Sequence, residues 1–147
     1  MELCVYVRVM PKVEEVMTRG VLTIDSNKTV AEAAELMTQK EVGDVVITEN
    51  ESPRGIVTER DFVRRVIAKH RPLDTKITDV MTTPLITIEP NASINEAARK
   101  MVNNKIRRLA VVRDHRLVGI LVVSDFAKHL SKKTLSETIL EAIWRYP

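Results

Sequence analysis

"VMTRGVLTIDSNKTVAEAAELM", residues 16–37, is written a second time as "VMTTPLITIEPNASINEAARKM", residues 80–101. Identical pairs include Val16/Val80, Met17/Met81, Thr23/Thr87, Ile24/Ile88, Asn27/Asn91, Glu32/Glu96, Ala33/Ala97, Ala34/Ala98 and Met37/Met101. The register then runs on without a gap through Gly55/Gly119, Ile56/Ile120, Asp61/Asp125 and Phe62/Phe126. A match sustained over a whole unit marks a tandem duplication. Two copies are too few for a solenoid, so they must cover one another.

Each copy spells the same order of elements. A short helical turn ending in "VM" leads into a β-branched strand, "VLTI" or "LITI". A turn and an N-cap follow, at residues 27–29 and 91–93. Helical spacing then places Val30, Ala33, Ala34 and Met37, and again Ile94, Ala97, Ala98 and Met101, on one face. Two apolar runs per copy read as buried strands joined by polar hairpin loops, at residues 50–53 and 114–116. A closing helix is predicted over residues 59–69 and 124–132. The fold class is α+β, with β-α-β-β-α twice.

A unit of about 60 residues buries too little surface to be comfortably stable alone. Two such units about a pseudo-two-fold axis cover each other's sheet faces and leave matching clefts, where small ligands sit. The sequence divides into an extension at 1–12, one repeat at 13–70, a second at 77–132, and a tail at 133–147. Alternating "LCVYVRV" at 3–9 suggests an extra strand. "TLSETILEAIWRY" at 134–146 reads as an amphipathic helix whose apolar stripe suits a core or dimer contact.

Composition narrows the function classes. Of the 147 residues 44% are apolar and 29% charged, which is the balance of a globular protein and not of a disordered tail. Aromatics make up only 3%, so the core is aliphatic. A net charge of +3 favours anionic ligands weakly and gives no reason to expect nucleic acid. No apolar run approaches the roughly 20 residues of a membrane span, and "MELCVYVRVM" lacks the pattern of a signal peptide. Cys4, the single cysteine, forms neither an internal disulfide nor a CxxC metal site. These features together predict a cytoplasmic protein with no membrane contact.

Catalytic patterns are missing from the sequence. His70, His115 and His129 stand at no metal-ligand spacing from one another or from an acidic cluster. GxSxG, GxxxxGK[ST] and GxGxxG do not occur. No residue set supplies a nucleophile with a positioned base. The expectation is a protein that is not an enzyme and holds no metal. Asn-x-Ser/Thr triplets at Asn27, Asn50 and Asn91 carry no message without secretion.

"GIVTERD", residues 55–61, is the stretch with chemistry in it. Thr58 and Asp61 have the spacing of a capping box. They also have the makings of a ligand site, because a helix start at a strand end attracts anions. A hydroxyl there can donate to a phosphate oxygen, and a carboxylate one turn on can accept from both hydroxyls of a ribose. In the second copy, "GILVVSD" at 119–125, Val122 stands where the threonine stood.

The duplicated β-α-β-β-α unit, the doubled "VMTxxxxTI" start and "GIVTERD" resemble paired cystathionine-β-synthase-type (CBS) domains over roughly residues 13–130. The resemblance implies a two-repeat module about a pseudo-two-fold axis. It also implies adenosine-containing ligands, AMP, ADP or ATP, with S-adenosylmethionine in the same class, bound between the repeats with no cofactor required. By position, Asp61 would hold the ribose and Thr58 the phosphate, with Arg60 nearby. Leu85, Ile86 and Thr87 would line the ribose side, and Ile106, Arg107 and Arg108 would flank the base. Lys105, Arg107 and Arg108 make this main cleft electropositive. A second, weaker cleft would use Thr23, Val42, Gly43, Asp44, Ser124 and Asp125; it lacks the hydroxyl at Val122 and gains the carboxylate of Asp44. The family resemblance further implies a homodimer that regulates a separate protein. The competing expectation is an interaction module for protein or nucleic acid with vestigial clefts.

Overall fold

The computed structural model describes residues 11–129 and 139. The strand expected at 3–9 and the helix expected at 134–146 lie outside the described residues, apart from Ile139, which is fully buried. The elements run α1 (Val13–Val16), β1 (Thr23–Asp25), α2 (Val30–Lys40), β2 (Asp44–Glu49), β3 (Ser52–Thr58) and α3 (Glu59–Asp61). The last continues as a π-helix, Phe62–Ile67. A 3-10 turn at Ile77–Asp79 opens the second half. After it come β4 (Thr87–Ile88), α4 (Ile94–Asn104), β5 (Arg108–Arg113), β6 (Arg116–Val122) and α5 (Val123–His129).

Each repeat holds one three-stranded sheet, ordered β1-β2-β3 and β4-β5-β6. The first pair in each is parallel and the second antiparallel. The hairpins are tighter than the sequence suggests. Only Asn50 and Glu51, and in the copy Asp114 and His115, turn the chain, all four at positive φ. Such primed turns follow the right-handed twist of the strands. They draw Pro53 into an edge strand, where its missing N–H costs no ladder bond.

Both long helices begin with a reciprocal cap. Glu32 N donates to Thr29 Oγ1 at 3.2 Å while Thr29 N donates to Glu32 Oε2 at 3.1 Å. Ser93 and Glu96 repeat the arrangement at 3.1 and 3.2 Å. These boxes satisfy amides left open by the first helical turn. The predicted apolar faces are buried, except that Ala34 is only partly covered.

The leading turns change partners. Val13 and Val16, at the head of the first repeat, pack in the core of the second with Ile94, Leu109, Leu121, Phe126 and Ile139. Ile77 and Val80, at the head of the second, pack in the core of the first with Val30, Val45, Val57 and Val66. Backbone bonds secure the exchange: Val13 N to Ala92 O at 2.8 Å, and Ile77 N to Lys28 O at 2.9 Å. Neither repeat completes its core alone, which removes the difficulty of a domain this small.

The two closing helices differ. A regular α-helix was expected for both, and α5 is one. After Asp61, however, the first follows π geometry, with Ala68 N bonded to Val63 O at 2.9 Å and Arg71 N to Val66 O at 3.0 Å. π-Helical turns are rare and are frequently found at functional sites. Within this one, Arg65 Nη1 donates to Val80 O at 2.8 Å. Its Nε stands 3.6 Å from Asp61 Oδ1.

Candidate functional site

A cleft of about 400 Å³ opens between the repeats at the end of β3. From the first repeat it is lined by Gly43, Ile56, Thr58, Glu59, Arg60 and Asp61. From the second come Thr82, Lys105, Ile106, Arg107 and Arg108. Four cations thus face two carboxylates, so the wall is electropositive, as phosphate recognition requires. Ile56 and Ile106 supply apolar surface.

Thr58 and Asp61 form the capping arrangement that their spacing predicts. Thr58 N donates to Asp61 Oδ2 at 2.9 Å, and Thr58 Oγ1 donates to the same oxygen at 3.3 Å. Capping does not exhaust the carboxylate, which has room for about four hydrogen bonds. Its side chain is 14% exposed. Rotating the Thr58 hydroxyl away from Asp61 needs no backbone change, so one group serves both the helix and an incoming acceptor.

The glycine that opens "GIVTERD" has a different job. A Cβ on Gly55 would lie 2.7 Å from Met81 Sδ and 2.8 Å from Thr82 O. On Gly119 it would lie 2.5 Å from Met17 Sδ and 2.9 Å from Thr18 O. The glycine therefore recurs because the exchanged segment crosses there, and ligand chemistry is not its reason.

Of the residues assigned to the main cleft, Thr58, Arg60, Asp61, Ile106, Arg107 and Arg108 are brought together. Leu85, Ile86 and Thr87 do not line it. Ile86 packs against the second core and accepts a bond from Ala110 N at 3.3 Å. Thr87 faces a wider groove of about 870 Å³ within the second repeat, beside Glu89, Glu96, Asp114 and His115. That groove is larger, but it carries more carboxylates than cations and lies away from both repeated motifs. Thr82 and Ile56 were not anticipated in the site. They arrive through the crossing, a tertiary contact with no local signature.

The residues assigned to the second cleft have varied surroundings. Gly43 lines the Asp61 cleft. Thr23 lines a separate space of about 520 Å³ with Thr48 and Arg116. Val42 packs on the first core, and Ser124 is exposed. Asp125 is only 4% exposed, its carboxylate accepting from Val122 N at 2.8 Å. Asp44 turns to Arg108, with Asp44 Oδ2 2.7 Å from Arg108 Nε. The two are repeat-equivalent positions paired with each other, which places the ion pair on the pseudo-two-fold axis.

Among the described residues no cluster of His, Cys, Asp or Glu has metal-binding geometry, and no helix is long and apolar enough to cross a membrane.

Comparison with known proteins accords with this architecture. The family model for the CBS domain matches residues 13–68 and 77–132. The chain is 38% identical over 118 residues to the CBS domain-containing protein YhcV of Bacillus subtilis, covering 80% of this chain and 84% of that one. The CBS domain protein PAE2072 of Pyrobaculum aerophilum, solved in complex with AMP, superposes with a TM-score of 0.73 at 27% identity, covering 88% of this chain and 95% of that one. A hexameric CBS-CP12 protein from bloom-forming cyanobacteria superposes at 0.76 with 31% identity, covering 82% and 68%.

Proposed function

Since the chain belongs to the CBS-domain family, we propose that its Asp61 cleft binds an adenine nucleotide, AMP, ADP or ATP, and that the protein is a non-catalytic regulatory module. One observation carries the reading. The Thr58 hydroxyl and Asp61 carboxylate of one repeat face Lys105, Arg107 and Arg108 of the other across a single cleft. A carboxylate for a diol and cations for phosphate are the two halves of nucleotide recognition. The AMP bound by the Pyrobaculum relative supports the ligand class. Occupancy would bias the tilt of one repeat against the other, and a separate protein would read that tilt. The compartment we assign is the cytoplasm.

Calorimetry with AMP, ADP and ATP on the wild type and Asp61→Ala tests this. Binding by the wild type and its loss in the variant is the expected result. Equal binding by both would overturn the site, and no heat from any adenosine ligand would overturn the ligand class. A salt-dependent shift of labelled nucleic acid, insensitive to Asp61→Ala, would favour the interaction-module reading instead.

The reading includes self-association. Val63 and Ile67 on the π-helix and Leu73 just beyond it are 57%, 68% and 71% exposed, the large apolar side chains left outside the two cores among the described residues. A second copy covering them would make the homodimer that the family resemblance implies.

A further inference from the structure

One cation of the Asp61 cleft, Arg108, is already paired with an anion from beside the cleft wall. Asp44 Oδ2 lies 2.7 Å from Arg108 Nε. Asp44 opens β2 directly opposite Thr58 in the antiparallel ladder, next to Gly43 in the cleft wall. The two side chains are only 20% and 34% exposed, so solvent screens them incompletely. A phosphate approaching Thr58 therefore meets an arginine already neutralised and a carboxylate that repels it.

We propose that Asp44 is an internal counter-anion that holds Arg108 until a ligand phosphate displaces it, making Asp44 the residue that sets the cleft's preference for ligand charge. The proposal rests on the nucleotide reading of the same cleft. A nucleoside without phosphate enters beside Asp61 and leaves the pair intact. A polyphosphate takes Arg108 and breaks it. Because the pair joins the two repeats on their axis, only a charged ligand removes this tie, and the signal passed on reports the phosphate.

Calorimetry with adenosine, AMP, ATP and pyrophosphate on the wild type, Asp44→Asn, Arg108→Gln and the double variant tests the exchange. Asparagine keeps the size of Asp44 and removes its charge. Asp44→Asn is expected to tighten ATP and pyrophosphate by about fivefold, the scale of a part-exposed ion pair, to tighten AMP less, and to leave adenosine unchanged. In the Arg108→Gln background the gain should vanish. An equal gain for adenosine, no gain for ATP, or a gain that survives Arg108→Gln would overturn the exchange while the nucleotide reading stands. If no adenosine ligand binds any variant, that reading fails on its own. Pyrophosphate then decides the exchange: tightening in Asp44→Asn upholds it and no tightening overturns it.

Discussion

Ile56 and Thr82 exchange both of their backbone hydrogen bonds, N to O at 3.1 and 2.9 Å. Their repeat equivalents, Ile120 and Thr18, do the same at 2.9 Å each way. The crossing welds the repeats into one folding unit, since each leading turn completes the other repeat's core. It also delivers Thr82 to the ligand cleft, so the contact that stabilises the fold helps to build the site.

Gly55→Ala should destabilise the protein by about 1–3 kcal/mol, the range for overpacking a tight contact. The added methyl meets Thr82 O at 2.8 Å, and a backbone oxygen cannot swing aside as the Met81 side chain can. Gly119→Ala faces Thr18 O at 2.9 Å and should cost a similar amount. Urea unfolding checks both. Single cooperative transitions are expected, because neither repeat holds a complete core by itself.

Thr58→Val gives the first motif the residue that the second already has. The hydroxyl bond to Asp61 disappears while the Thr58 N–H bond to the same oxygen remains. Stability should fall by about 1 kcal/mol, the scale of one lost hydrogen bond. AMP should weaken by about tenfold, the scale of a hydrogen bond to a charged group, and adenosine should change little. Thermal melts and calorimetry separate the two effects.

Nucleotide stoichiometry should be one per chain. Asp125 is only 4% exposed, its carboxylate accepts from Val122 N, and Val122 offers no hydroxyl. Val122→Thr restores the missing hydroxyl but leaves Asp125 buried, so it should leave the stoichiometry at one. Calorimetric titration of the wild type and Val122→Thr with AMP reads this directly.

The double variant Val63→Asp with Ile67→Asp should convert a dimer to a monomer in light scattering. Both side chains are exposed, so monomer stability should change by about 0.5 kcal/mol or less. A wild-type protein that is monomeric at high concentration would refute the dimer.

The order of elements, the capped starts of α2 and α4, and the Thr58–Asp61 pair were all legible in the sequence. Each depends on residues within a few positions of one another, and apolar spacing and cap chemistry encode such neighbours directly. The tandem duplication was legible too, because both copies remain in register over the whole unit. The family resemblance, not local pattern, brought Arg60, Lys105, Arg107 and Arg108 to one cleft.

Tertiary structure decided the rest. The family resemblance placed Leu85, Ile86 and Thr87 at the cleft, and the crossing adds Thr82 to its wall. It also buried Asp125. A periodic sequence cannot announce that Val13 belongs to one core and Ile77 to the other, because exchange preserves every local pattern. Nor can it announce that Asp44 and Arg108, far apart in the chain and equivalent in the repeat, meet on the axis. Local chemistry selects helices, strands and caps; the free energy of burying two incomplete cores against each other selects which residues become neighbours.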